Sequence, residues 1–161
     1  MNPQLVPDWI KHLKAEEAAK RSQTDSEAAK QLCAATTITA QGPEFWRQLF
    51  RELALNTDSL PEIGLQGSAT IQDTSTSEMC YRIEVSLRAA WPKMTYTNLF
   101  YVQGAQVIRG HTYEDTTFKL QFALGTDGSF GVILENPMAP TNPEQTAQWS
   151  LVRMVQLIKR Q

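Results

Sequence analysis

Two cysteines and two histidines are all that 161 residues hold of the side chains that most often bind metals or act as nucleophiles and bases. Cys33 lies on a helical pattern and Cys80 on a strand pattern, and neither has a His or Cys partner nearby. That pattern argues against a disulfide framework and against a zinc site, and it fits a reduced, cytoplasmic interior. Long apolar runs are missing as well. No window holds the ~20 apolar residues that a spanning helix needs, so no membrane partner is expected. Residues 1–8 lack both the basic start and the apolar centre of a signal peptide, so none is expected. There is no basic excess: 15 Lys and Arg against 17 Asp and Glu leave a formal net charge of −2. Nucleic-acid binders carry a basic stripe, so no nucleic-acid partner is expected. Gly64 and Gly67 fit neither a Walker loop nor a dinucleotide fingerprint, and no cofactor is indicated.

What the chain does have is alternation. Hydrophobic residues at 42% and charged residues at 20% are ordinary for a globular chain. A chain of this length buries roughly 70% of its unfolded surface, enough for one domain with one core. From Leu65 to Glu135, apolar and polar residues alternate with period two between short turn-forming clusters. Met79, Tyr81, Ile83, Val85, Leu87 and Ala89 point one way; Cys80, Arg82, Glu84, Ser86 and Arg88 point the other. Period two means strand, because successive side chains leave opposite faces of the pleat. The strands read as Leu65–Gln72, Met79–Ala89, Met94–Val102, Gln106–Tyr113, Thr116–Leu124 and Ser129–Glu135. Asp73–Ser77 is a turn of small polar residues, and Trp91-Pro92-Lys93 ends the second strand because proline cannot donate to a central ladder. Thr126-Asp127-Gly128 signals a tight hairpin.

The flanks are helical. Asp8 reads as a helix cap, with Trp9, Ile10 and Leu13 as a narrow apolar stripe. Lys20–Ser26 is either a break or an exposed middle turn, after which Glu27–Ala35 resumes with Ala28, Ala29, Leu32 and Cys33. Ala35–Ala40 is β-prone. Gly42-Pro43-Glu44 opens a second helix whose Phe45, Trp46, Leu49, Phe50 and Leu53 make one broad apolar face, ending at Asn56–Pro61. After the connector Asn136–Pro140, Thr141 and Glu144 read as a capping box. The last helix buries Ala147, Leu151, Met154, Val155 and Ile158. The expected fold is α+β: one antiparallel meander of about six strands, covered on one face by helices, in the order α-α-β6-α. It is read as one domain, with helices over 1–60, the sheet over 65–135 and the final helix over 141–160. A strongly curved version would have a helix-grip or cone-like architecture.

Chemistry-bearing residues are sparse. His111 sits beside Arg109 and ahead of Glu114-Asp115, as a general base or ligand would, but no second group completes a set. Arg82, Glu84 and Arg88 share one strand face, which suits an anion- or partner-binding ladder and equally suits cross-strand charge pairing. Glu114-Asp115 reads as turn chemistry, and Cys80, with no base in sight, as structural. Trp91, Tyr96, Phe100 and Tyr101 could stack on a planar ligand or simply pack. The binding candidates are therefore Arg82, Glu84, Arg88, Tyr96, Arg109 and His111. No catalytic or metal-binding residue is named. Two function classes follow. One is a non-enzymatic interaction module that binds a protein partner through the sheet face or an edge strand, as an adaptor, chaperone or inhibitor does. The other is a pocket protein for a small apolar or aromatic ligand, with hydrolase or isomerase activity as its enzymatic form.

Overall fold

The alternating stretch folds into a six-stranded antiparallel sheet whose strands lie side by side in chain order. The computed structural model describes residues 6–75, 79–134 and 139–161, with backbone alone at 73–75 and 79–80. Its elements are α1 (Asp8–Asp58), a 3-10 turn (Leu60–Ile63), β1 (Gln66–Ser75), β2 (Met79–Arg88), β3 (Met94–Val102), β4 (Val107–Thr112), β5 (Thr117–Leu124), β6 (Phe130–Ile133) and α2 (Pro143–Lys159). The chain divides into two units, one ending at Thr36 and one spanning Thr37–Gln161. The α+β class and the meander are as the alternation implies. Residues 76–78, Glu135 and 136–138, which the turn, last-strand and connector assignments included, lie outside the described residues, as does the Cys80 side chain.

In the first unit α1 is exposed almost throughout: Trp9 and Leu32 are 64% and 71% open to solvent. The expected stripe of Trp9, Ile10 and Leu13 therefore covers no core. Local contacts support this part of the helix, including a Lys11–Asp8 ion pair at 3.8 Å and the Thr24 hydroxyl donating to the Lys20 carbonyl at 2.9 Å.

The two helices expected ahead of the sheet are one. α1 runs through the β-prone Ala35–Ala40 stretch and through Pro43. Threonines inside a helix can return their hydroxyl to the carbonyl one turn back, and Thr36 does so to Leu32 at 2.8 Å. Pro43 removes one intrahelical bond, at a cost of about 3 kcal/mol in a helix interior. Burial of Phe45, Trp46, Leu49 and Leu53 just beyond it offsets this, at about 1.5–3 kcal/mol for each large side chain.

The second unit holds the core. Ile83, Val85 and Leu87 of β2, Leu99 and Tyr101 of β3, Ile108 of β4, Leu120 and Phe122 of β5 and Val132 of β6 are buried on one sheet face. Phe45 of α1 meets Phe122 edge-on at 5.4 Å, and Trp46 lies 5.4 Å from Tyr101. This approach requires Gly42, where an added Cβ would sit 2.6 Å from the Tyr101 hydroxyl oxygen. α2 lies across β2 and β3, burying Ala147, Leu151, Met154 and Ile158.

The cap of α2 falls one residue later than the Thr141/Glu144 reading. Asn142 is the cap: its side chain accepts from the Gln145 amide at 2.8 Å, and Gln145 returns to the Asn142 amide at 3.2 Å. Pro143 then takes the first helical position, where a missing N–H costs nothing. Thr141 instead pairs with Val132 of β6, exchanging backbone bonds at 3.1 and 2.8 Å. At the β5–β6 hairpin the Asp127 carboxylate accepts from the Ser129 amide at 3.0 Å. The Ser129 hydroxyl and amide hold its pKa below the ordinary value. Among the described residues no helix is long and apolar enough to cross a membrane.

Candidate functional site

The register places all six binding candidates on the sheet face opposite the core. Cross-strand neighbours are 4.5–5.5 Å apart in an antiparallel ladder, so the pairings read directly as rows. One row is Gln72, Arg82, Phe100, Arg109 and Lys119. The next is Thr70, Glu84, Asn98, His111 and Thr117, followed by Ser68, Ser86 and Tyr96. Arg88 ends the face beside Gln66 and Met94. Among the described strand residues this face carries Arg82, Arg88, Arg109 and Lys119 against the single carboxylate of Glu84, opposite in sign to the chain's net charge.

These groups are partly tied together. Arg82 donates to the Gln72 side-chain oxygen at 2.7 Å and reaches Glu84 at 3.4 Å. Its Nε, like the Asn98 side-chain oxygen, is buried without a hydrogen-bond partner. His111 Nε2 lies 2.8 Å from the Asp115 carboxylate, and Asp115 takes a positive φ of 60° in the β4–β5 turn. Tyr96 packs edge-on against Tyr113 at 5.5 Å. Asp115 is therefore the hydrogen-bond partner of His111. A carboxylate bonded to one ring nitrogen orients the imidazole and sets its tautomer. Of the four aromatics weighed for stacking, Tyr96 and Phe100 lie on this face, Tyr101 is core and Trp91 is 90% exposed beyond β2. Among the described residues no group of three His, Cys, Asp or Glu side chains is placed to hold a metal ion.

The two sheet edges differ. β6 has four residues and is closed by the Thr141 bridge. β1 has ten, all paired with β2 on one side. Among the described residues no strand pairs with its other side.

A concave site lies on the covered face, where the ends of β3, β4 and β5 meet α2. This half-open pocket holds about 140 Å³, and its lining includes Thr97, Glu114, Phe118, Trp149, Ser150, Arg153, Met154 and Arg160. Phe118 meets Trp149 edge-on at 5.8 Å, and the Arg153 guanidinium stands 4.7 Å from the centre of the Trp149 ring. Ser150 is 5% exposed, and its hydroxyl is buried with no hydrogen-bond partner. Of these residues only Glu114 was weighed for chemistry in the sequence, and Met154 was read as core. The signal for the others was polar residues at buried positions: Thr95 and Thr97 on the core parity of β3, and Ser150 on the apolar stripe of α2. No family model, curated protein or solved structure matches the chain.

Proposed function

We propose that this chain is a non-enzymatic interaction module of the cytoplasm that takes an extended segment of a partner protein onto the free edge of β1. One observation carries the reading: a ten-residue edge strand left open while the opposite edge is short and bridged. An open edge is a row of unpaired N–H and C=O groups, and proteins usually blunt it with proline, lysine or a bulge. β1 (QGSATIQDTS) has neither proline nor a basic residue, and its ten consecutive pairings with β2 run without a bulge. Such an edge suits strand addition, in which backbone bonds supply affinity and alternate side chains supply selectivity. The cationic rows on the neighbouring strands favour a segment bearing acidic side chains on that face.

The test uses two adjacent prolines. In an antiparallel ladder, neighbouring residues send their N–H groups to opposite sides. Of Ala69→Pro and Thr70→Pro, therefore, one breaks the β1–β2 ladder and lowers the melting temperature, while the other removes only an edge-facing donor. Extended peptides selected by display against the native chain should bind this second, stable variant about tenfold more weakly or worse. Equal binding to both would overturn the proposal. A pocket for a small aromatic molecule is a second reading, carried by the cavity between α2 and the sheet.

A further inference from the structure

Arg109 of β4 and Lys119 of β5 stand directly opposite each other on the outer sheet face. We infer that they hold the phosphate of an aryl phosphate monoester, with Phe100 as the wall for its ring. Like charges directly opposite in a ladder destabilise it, whereas an opposite charge there would support it. The carboxylates of this face and its turn are committed elsewhere: Glu84 to Arg82 at 3.4 Å and Asp115 to His111 at 2.8 Å. Among the described residues neither Arg109 nor Lys119 has an ion pair. Both are exposed, and both line the same groove.

The groove around these cations selects the chemistry of its occupant. Phe100, His111 and Thr117 line it with them. Phe100 lies opposite Arg109 on β3, and His111 lies opposite Thr117 one row along. Charge decides first. A carboxylate or sulfonate neutralises one of two cations, whereas a phosphate monoester carries about −1.5 to −2 at neutral pH and offers three acceptor oxygens. The planar fork of Arg109 suits two of those oxygens, and Lys119 supplies a compact point charge. The Thr117 hydroxyl is a further donor on the groove wall. The ring follows from the apolar side. Phe100 is the one half-buried aromatic in an otherwise polar row, and Val102, two residues on and on the same face, is 41% exposed. A flat ring set against Phe100 buries apolar surface that an alkyl phosphate leaves wet. Arg109 and Lys119 lie three and four strands from β1, apart from the edge at which a partner segment adds.

The experiment compares phenyl phosphate, methyl phosphate, benzenesulfonate and a short peptide in which phosphotyrosine is flanked by alanines. Each is titrated to about 10 mM at about pH 7.5 and low salt, with binding read from the amide shifts of β3–β5 in NMR spectra. Phenyl phosphate should bind more tightly than methyl phosphate and benzenesulfonate, by about tenfold in each case. Arg109→Gln and Lys119→Gln should each bind phenyl phosphate about tenfold more weakly and lose the preference for it over benzenesulfonate. Relief of the opposed charges should leave their melting temperatures unchanged or higher, which separates lost binding from lost fold. Phe100→Leu keeps apolar bulk without the flat ring, so it should narrow the gap between phenyl and methyl phosphate. The peptide distinguishes two sources of the same chemistry: tighter binding than phenyl phosphate assigns a phosphorylated tyrosine of a protein, binding no tighter assigns a free aryl phosphate, and either supports the site. No saturable shift with phenyl phosphate, equal binding of benzenesulfonate, or unchanged binding by folded Arg109→Gln and Lys119→Gln chains would each overturn the inference. The β1 edge takes no part in these readouts, so none of their outcomes bears on strand addition.

Discussion

Gly110 and Phe118 face each other across β4 and β5, and the substitution Gly110→Ala probes the pair. A Cβ at residue 110 would stand 2.1, 2.3 and 2.4 Å from three carbons of the Phe118 ring, where ordinary carbon contacts lie at about 3.5–4.0 Å. An aromatic ring laid over a strand glycine covers backbone that glycine leaves bare. The methyl must therefore displace the ring by more than 1 Å, and on its far side the ring already meets Trp149. Overpacking of this kind costs about 1–3 kcal/mol. For the unit of residues 37–161, each kcal/mol moves the melting temperature by about 3–4 °C, so a fall of about 3–12 °C is expected in thermal unfolding followed by circular dichroism. In a Phe118→Leu background the ring is gone, and Gly110→Ala should become neutral or stabilising, since alanine is favoured over glycine in a strand by about 0.5–1 kcal/mol. The double-mutant cycle should show coupling of about 1–3 kcal/mol. Full stability of Gly110→Ala, or the same loss in both backgrounds, would refute the reasoning.

Two further perturbations separate other parts of the account. Leu49 is fully buried and Leu32 is 71% exposed on the same helix; Leu49→Ala should cost about 2–5 kcal/mol in urea denaturation and Leu32→Ala under ~0.5 kcal/mol. Burial raises the pKa of the Tyr101 phenol, against the opposing pull of the Gly104 backbone. Above about pH 10 the unfolded chain releases this proton and the folded chain keeps it, so stability falls as pH rises through that window. Tyr101→Phe should remove this part of the alkaline loss, read as a flatter fall of melting temperature above about pH 10.

The sheet was legible because burial imposes a period of two that no other backbone state shares. Ile83, Val85 and Leu87 alternate with Arg82, Glu84 and Ser86, and a slip of one residue would have inverted every one of them. The same parity put Arg82, Glu84 and Arg88 on one face; that Tyr96, Arg109 and His111 join them follows from the register of β2, β3 and β4. What stayed hidden depends on partners distant in sequence. Pro43 reads as a helix start, and only the packing of Ile38 on one side and Phe45 on the other keeps α1 continuous through it. Asn142 rather than Thr141 caps α2 because Thr141 is engaged by Val132, a contact across the connector. The cavity needs Thr97, Phe118, Ser150 and Arg153 from three elements, and their meeting is set by how α2 crosses β3. Ile71 shows the reverse case. Its parity is that of the core, yet it is 41% exposed at the sheet edge, where among the described residues no further strand pairs with β1.

The central claim is that the outer side of β1 stands open until a partner segment pairs with it, and residue-resolved amide exchange measures this directly. In the chain alone, alternate amides of residues 66–72 should exchange fast while their neighbours, bonded to β2, are protected. With a selected peptide bound, the fast set should slow by at least about tenfold and the slow set should keep its rates. Slow exchange of every β1 amide in the chain alone, or a fast set that stays fast with peptide bound, would contradict it.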